Sequence, residues 1–167
     1  MLFTAMFLYQ CSDYDGDSFN NPDVKVFVQQ IKSGRYTDEG PSGYVEVPVF
    51  KKSDISALLF YAQDHTPLKE FPLNPISSIN PGNYRLSQCL LWTVEKIRTG
   101  CYPSLTPSLM KKDRLTGKYH VVTSPDDINE VWEMYSAWWH IVESQPADAL
   151  PDYYTCNPLS GTAYLWY

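Results

Sequence analysis

The side chains that could carry acid–base or metal chemistry are few in this sequence, and they lie far apart. Its three histidines, His65, His120 and His140, show none of the paired spacings that bring two imidazoles to one metal ion. Glycine-rich phosphate loops, nucleophile elbows and Cys-x-x-Cys pairs are also missing from the sequence. The pattern therefore predicts no metal, no cofactor and no catalytic residue. A hydrolase remains an alternative if folding brings Glu95, His65 or His140 into one cleft.

A binding groove is the functional arrangement that the sequence favours. Four prolines between residues 67 and 81 exclude regular structure and predict an extended crossing segment. Aromatic side chains on two helices would flank this segment and offer contact area at low entropic cost. The candidate binding residues are Asn74, Ser77, Ser78, Trp92, Glu95, Trp132, Tyr135, Trp138 and Trp139. The alternative is that the aromatic side chains form the core and that Glu95 is buried in a structural hydrogen bond.

The first eleven residues have the pattern of an exported lipoprotein. Residues 1–10 are mostly apolar and uncharged, and their length matches a secretory hydrophobic segment better than a membrane span. Leu8-Tyr9-Gln10-Cys11 resembles a bacterial lipobox, so Cys11 is the predicted lipid-attachment residue. We therefore expect a lipid-anchored location in the bacterial cell envelope, with membrane contact through the anchor only. The alternative is an apolar strand or helix that packs on the body, with Cys11 as an ordinary thiol.

The rest of the chain divides into a linker and one domain. Residues 12–20 alternate acidic with small polar side chains and have no apolar period, which is typical of a tether. Residues 21–167 suffice for a single domain, because such domains span about 100 to 200 residues. Aromatic residues make up 15% of the chain and charged residues 19%, which is the composition of a folded core.

Three cysteines lie within the domain. An oxidising envelope compartment would allow one disulfide among them. Cys89 falls inside a helical stripe, where a buried free thiol is the commoner outcome. Cys101 and Cys156 both fall in predicted loops, so they are the candidate disulfide pair.

Four segments of the domain have the apolar spacing of amphipathic helices. They cover residues 22–33, 54–64, 83–99 and 125–143. The first and third end at Gly34 and Gly100. Between the helices we expect long proline-rich loops, a helical turn near 104–110 and an extended stretch at 119–122. The aromatic tail, residues 151–167, should lie against the body.

The two pairs of predicted helices resemble each other. Ile31-Lys32-Ser33-Gly34-Arg35-Tyr36 is similar to Ile97-Arg98-Thr99-Gly100-Cys101-Tyr102. This likeness predicts an all-α fold, in which two helical hairpins stack as a short helical-repeat array with an aromatic C-terminal tail. The alternative is that capping chemistry alone produces similar strings at the ends of helices that stop at glycine.

Charge is unevenly distributed along the chain, whose formal net charge is −6. Residues 24–118 hold all 13 basic residues against eight acidic ones, whereas residues 119–167 hold seven acidic residues and no basic ones. The acidic total argues against a nucleic-acid partner, which requires clustered Lys and Arg. An acidic C-terminal third suits a basic partner, so an immunity or inhibitor protein with an acidic binding face is a further alternative.

Ordered short strings give the chain a family resemblance. Over about residues 20–166 it resembles an uncharacterised family of Bacteroides-type secreted lipoproteins, through Asn21-Pro22-Asp23-Val24, Ile31-Lys32-Ser33-Gly34, Asp54-Ile55 with Leu58-Leu59, Phe71-Pro72 with Asn74-Pro75-Ile76-Ser77-Ser78, and Leu91-Trp92-Thr93-Val94-Glu95. The resemblance implies a small helical, envelope-anchored domain of unknown function, and it supplies no catalytic residues. Together with the missing motifs, it favours a noncatalytic binding or accessory module for a protein, a peptide or a glycan.

Overall fold

The computed structural model describes residues 19–73, 84–145 and 156–167. In these ranges the chain forms four α-helices, one short 3-10 helix at Lys52–Asp54 and a three-stranded antiparallel sheet. The helices are α1 (Val24–Ser33), α2 (Ile55–Tyr61), α3 (Leu86–Thr99) and α4 (Pro125–Val142). The strands are β1 (Leu109–Lys112), β2 (Tyr119–Val121) and β3 (Tyr164–Trp166). Within the described ranges, no helix is both long enough and apolar enough to cross a membrane.

The four predicted helices are confirmed, and local chemistry explains where they begin and end. The Asp23 side chain accepts a hydrogen bond from the Val26 amide and so caps the start of α1. Ser124 caps α4 in the same way, directly before Pro125. Gly34 and Gly100 follow α1 and α3 with φ values of 64° and 74°, a left-handed conformation that residues with a Cβ rarely adopt.

The core is centred on α2, which contacts the other three helices. Its Ile55 and Leu58 side chains are completely buried. The α3 helix is buried on almost all sides, with Leu86, Leu90 and Leu91 fully enclosed. Because α2 is shared among three partners, the helices pack around one common core instead of forming two stacked pairs.

The prediction of an all-α fold is wrong, because the loop after α3 and the C-terminal tail form the sheet. Residues expected to make a helical turn near 104–110 lead into β1, and part of the tail becomes β3. The stretch expected to be extended is confirmed as β2. Strands of three or four residues are too short for a clear period of two, and β3 is stabilised by pairing with β1, which lies more than fifty residues away.

The strand order is β2-β1-β3, with both pairs antiparallel. Lys111 lies opposite His120 on β2 and opposite Tyr164 on β3, so these three side chains share the face of the sheet that is directed toward α4. The opposite face carries Tyr119 and Val121, which are exposed. The sheet therefore brings residues from three separate parts of the chain to one side of α4.

Candidate functional site

A large concave surface lies between the β1–β2 hairpin and the first half of α4. It encloses about 1270 Å³ and is closed at one end by the turn at residues 161–163. Charged side chains of both signs line it, which makes this groove the best-supported candidate site. Its charged lining residues are Lys111, Lys112, Asp113, Arg114, Asp127 and Glu130, together with the titratable His120.

A helix or a strand positions each polar side chain on the floor of the groove. Strand alternation directs Lys111 from β1 and Tyr164 from β3 toward α4. Helical spacing places Asp127 and Glu130 three residues apart, on the same side of α4. These four side chains, Lys111, Asp127, Glu130 and Tyr164, are called the floor cluster below.

The floor cluster is closely hydrogen-bonded. Lys111 Nζ donates to Asp127 Oδ1 at 2.5 Å and lies 3.6 Å from Glu130 Oε2. The Tyr164 hydroxyl lies 3.0 Å from Asp127 Oδ1 and 2.5 Å from Glu130 Oε2. Lys111 Nζ also lies 4.9 Å from the centre of the Tyr164 ring, within range of a cation–π interaction. The cluster thus ties the sheet to α4 while its upper surface stays open to solvent.

The environment moves the pKa values of three floor-cluster groups, Lys111, Asp127 and Tyr164, further from neutral pH. The hydrogen bond to Asp127 raises the pKa of Lys111, and the same bond lowers the pKa of Asp127. Burial, followed by the hydrogen bond to Glu130, raises the pKa of Tyr164. Lys111 therefore stays protonated, Asp127 ionised and Tyr164 neutral. Groups held this way do not exchange protons readily near pH 7, so the cluster suits binding better than acid–base catalysis.

The hairpin wall of the groove is basic and exposed. Lys112, Arg114 and Lys118 lie on or beside the turn between β1 and β2, and all three are exposed. The acidic residue in this turn, Asp113, accepts hydrogen bonds from the Leu115 and Thr116 amides, which also lower its pKa. Asp113 is therefore engaged in shaping the turn, and the hairpin offers its positive charges to solvent.

The acidic side of the groove is partly neutralised within the molecule. Asp127 and Glu130 face Lys111 and Tyr164, whereas Asp126 and Glu133 are exposed on the same helix. The pairing of Asp127 and Glu130 with Lys111 and Tyr164 therefore interrupts the row of acidic side chains on α4.

The aromatic side chains of the candidate groove lie in a mostly buried cluster. Trp92, Tyr135, Trp138 and Trp139 each expose less than one-tenth of their surface, and Trp132 is partly buried. The indole nitrogens of Trp132 and Trp139 donate to the Leu59 carbonyl and to Ser56, which fixes α4 against α2. Trp92 donates to Ser104 and stacks on Tyr102 at a centroid distance of 4.2 Å.

Glu95 is buried in an ion pair inside α3. Its two carboxylate oxygens accept hydrogen bonds from Arg98 at 2.8 and 2.6 Å, and Oε2 also accepts from the Tyr135 hydroxyl at 2.8 Å. The Trp166 indole in turn donates to that hydroxyl at 2.9 Å. This network links α3, α4 and β3, and such a saturated carboxylate acts as a structural group.

The three groups considered for a hydrolase bond to different partners. His65 contacts Ser87 and Asn129 through its two ring nitrogens, at 2.9 Å each. His140 is exposed on α4 and lies 3.6 Å from Glu143. Glu95 is enclosed by Arg98 and Tyr135 as described. No described group of three or more His, Cys, Asp or Glu side chains has the arrangement of a metal site.

The cysteines of the domain are separate thiols. Cys101 is exposed, Cys156 is half-buried, and both are free, so the candidate pair is not joined. Cys89 is buried on α3, and its burial raises the pKa of the thiol well above its ordinary value. Cys11, Asn74, Ser77 and Ser78 lie outside the described residues.

The floor cluster was not predicted from the sequence. The spacing of Asp127 and Glu130 on a predicted helix was a usable signal, because it places two carboxylates on one side. Lys111 and Tyr164 gave no comparable signal, since only strand pairing over more than fifty residues brings them together.

Comparison with known proteins identifies a family. Residues 18–167 match the family described as a domain of unknown function, DUF4943. No curated protein matches the chain, and no solved structure does. Since the match includes the sheet, the floor cluster and all four helices, the chain belongs to the DUF4943 family.

Proposed function

We propose that this chain is a noncatalytic binding module that holds a polypeptide partner against the groove between the β1–β2 hairpin and α4. The observation that carries the proposal is the floor cluster, in which protonated Lys111 pairs with ionised Asp127 at the base of an open groove of about 1270 Å³. Charged groups in fixed states suit complementary recognition, which favours specificity and association rate.

A polypeptide fits this groove better than a glycan does. Sugar rings stack favourably on flat aromatic side chains, but Trp92, Trp138 and Trp139 are buried in the core. The groove instead offers charged side chains together with Leu115, which is 96% exposed at the hairpin turn. This mixture matches the polar rim and isolated apolar contacts of protein interfaces.

A site-specific photo-cross-linker tests the proposal. Benzoylphenylalanine at Leu115 should cross-link one partner polypeptide in whole cells, and the product should disappear when Arg114→Glu and Lys118→Glu are added. The same cross-linker at Phe60, an exposed residue of α2, is the matched control and should give no such product. Equal labelling from both positions, or a product that survives the double charge reversal, would contradict a groove partner.

We further propose that the module is a Bacteroides-type lipoprotein of the bacterial cell envelope, anchored through Cys11. The apolar residues 1–10, the lipobox-like string and the acidic linker support this location. The family match begins at residue 18, which is consistent with a separate leader and linker before the domain. Membrane fractionation of Cys11→Ala should move the protein from the membrane to the soluble fraction, and an unchanged distribution would exclude the anchor.

A further inference from the structure

The outer edge of β2 has backbone groups that no described residue uses. The Asp113 amide donates to the Lys118 carbonyl, and the Val122 amide donates to the Leu109 carbonyl, both at 2.8 Å. Even-numbered residues of this segment therefore point their amides and carbonyls at β1. By alternation, the amides and carbonyls of Tyr119 and Val121 point away from the sheet.

The open edge is short and has a defined end. Arg85 Nε donates to the Thr123 carbonyl at 3.2 Å, so the next outward group is already occupied within the molecule. Two residues thus remain available, each with one donor and one acceptor. An extended segment that pairs with them would form four backbone hydrogen bonds.

The two faces beside this edge differ in chemistry. Tyr119 and Val121 present exposed apolar side chains on the outer face, at 47% and 56% exposure. His120 lies on the other face, toward the groove, and the exposed Lys118 directly precedes β2. A strand added at this edge would meet apolar side chains on one face and the titratable His120 on the other, with the basic Lys118 just before β2.

We propose that the β2 edge binds an extended acidic peptide by strand addition, with apolar residues opposite Tyr119 and Val121 and acidic residues beside Lys118 and His120. This inference rests on the proposed function, since it names the chemistry of the partner at one wall of the same groove. Strand addition gives affinity through backbone hydrogen bonds and specificity through alternate side chains.

The positive charge of the hairpin favours an acidic peptide over a second copy of the chain at this edge. Antiparallel pairing of two β2 edges would place the basic turn of each copy at the opposite end from the other, so the charges of Lys112, Arg114 and Lys118 would stay unneutralised. An acidic peptide neutralises them. The hairpin has one acidic residue, Asp113, and it is engaged by the turn amides.

The first test uses the peptide Ac-Glu-Val-Glu-Val-Glu-NH2 and two methylated forms. In the proposed register the valine amides face β2 and the central glutamate amide faces away. N-methylation of both valines should weaken binding at least about fivefold, because two hydrogen bonds are lost. N-methylation of the central glutamate should leave the Kd within about twofold, and a lysine–valine version of the peptide should bind at least about tenfold more weakly.

Binding is measured by NMR titration of the ¹⁵N-labelled protein, with hydrogen exchange at the Tyr119 and Val121 amides as a second readout. Bound peptide should slow exchange at both amides. If both methylated peptides bind equally, charge alone explains binding and strand addition is overturned. Poly-glutamate that binds as well as the valine peptide would overturn it equally, as would peptide-independent dimerisation through this edge.

The second test changes the protein at Val121. Because the Val121 amide is not used by β1, Val121→Pro removes an edge donor without removing a ladder hydrogen bond. It should weaken peptide binding at least about fivefold, whereas Val121→Ala should retain it. Circular dichroism and thermal melting check that the proline variant is folded; if it is not, the methylated peptides decide the question by themselves.

Loss of strand addition and loss of the proposed function can be told apart. Cross-linking from Leu115 that persists while the acidic peptide fails to bind would preserve a groove partner and exclude strand addition. Cross-linking that is lost in Val121→Pro but retained in Val121→Ala would show that the groove partner binds by strand addition at β2.

Discussion

The most deeply buried charges in the described part of the chain are Glu95 and Arg98. They expose 4% and 5% of their surface, and each is hydrogen-bonded to the other within one turn of α3. Removing an ion from water costs several kcal/mol, and this cost is recovered only while its partner is present. The same Glu95 carboxylate accepts from Tyr135, whose pKa is raised well above its ordinary value by burial and by this carboxylate.

Truncation of one member of this pair should therefore be severe. Glu95→Ala should lower the free energy of unfolding by about 3 to 5 kcal/mol, because it removes the carboxylate that pairs with the buried Arg98 guanidinium and accepts from the Tyr135 hydroxyl. The combined replacement Glu95→Leu with Arg98→Met should cost less than Glu95→Ala does. Urea denaturation measures both values. The control is Lys32→Ala, which removes the half-exposed pair with Asp64 and should lower the free energy of unfolding by no more than about 1 kcal/mol. If Glu95→Ala lowers the free energy of unfolding by a similarly small amount, the buried pair is not structural.

The Tyr164 hydroxyl should also contribute measurably to stability. Tyr164→Phe keeps the ring but removes the hydrogen bonds to Asp127 and Glu130, so we expect a loss of about 1 to 2 kcal/mol. Tyr167→Phe is the matched control, since this side chain is 77% exposed and should have almost no effect. Equal unfolding midpoints for the two variants would show that the floor cluster does not join β3 to α4 energetically.

At the scale of elements, polar contacts between the ends of α1, α2 and α3 supplement the apolar packing of these helices. Lys32 at the end of α1 donates to Asp64 Oδ2, just beyond α2, at 2.5 Å. Asp64 also accepts from the amide and hydroxyl of Thr66, and its own carbonyl accepts from the Ser87 amide at the start of α3. The turn after α2 is therefore where three helices are linked.

This link should make stability depend on pH. Burial alone would raise the pKa of Asp64, but the hydrogen bonds from Lys32 and Thr66 outweigh it and lower the pKa from 3.8 to about 2. A carboxylate whose pKa is lowered in the folded state stabilises that state above its unfolded pKa, and the contribution disappears as pH falls toward the folded value. The stability difference between wild type and Asp64→Asn should thus be present at pH 6 and vanish between pH 4 and 2.

Because Asp64 is partly exposed, the difference at pH 6 should be no more than about 1 kcal/mol. Chemical denaturation at stepped pH measures it. In a Lys32→Met background the same substitution should have a smaller effect, since one of the hydrogen bonds that lower the pKa is gone. A pH-independent difference between wild type and Asp64→Asn would disprove the linkage.

At the scale of the whole molecule, the C-terminal strand closes the structure. β3 pairs with β1, while its Trp166 reaches the Tyr135 hydroxyl on α4. Through these contacts a segment of three residues joins the sheet to the helical core and completes the floor of the groove. The fold thus depends on pairing between the region after α3 and the tail.

Removal of residues 163–167 should destabilise the entire domain. The truncation loses the β1–β3 pairing, the Tyr164 contacts and the Trp166 hydrogen bond together, so we expect a drop of more than about 3 kcal/mol in the free energy of unfolding. Near-ultraviolet circular dichroism and urea denaturation measure it. Removal of Tyr167 alone is the control and should cost less than about 1 kcal/mol. A truncated protein with the wild-type midpoint would mean that β3 is a peripheral addition.

The helical part of this protein was predictable because helix signals are local. Asp23, Ser124, Gly34 and Gly100 mark their helix ends through chemistry within a few residues of each terminus. The apolar spacing of residues such as Ile55 and Leu58 also identified side chains that are fully buried.

The sequence by itself determined that the chain forms four helices, which of their faces are apolar, and the ends marked by Asp23, Gly34, Gly100 and Ser124. Only the tertiary structure decided that residues 109–112 form the central strand of a sheet, that Trp92, Trp138 and Trp139 are buried, and that Lys111, Asp127 and Tyr164 meet. The physical reason is that strand pairing and a mixed-charge cluster are non-local. Their stability comes from partners far along the chain, and short strands leave almost no periodic trace of those partners in the sequence.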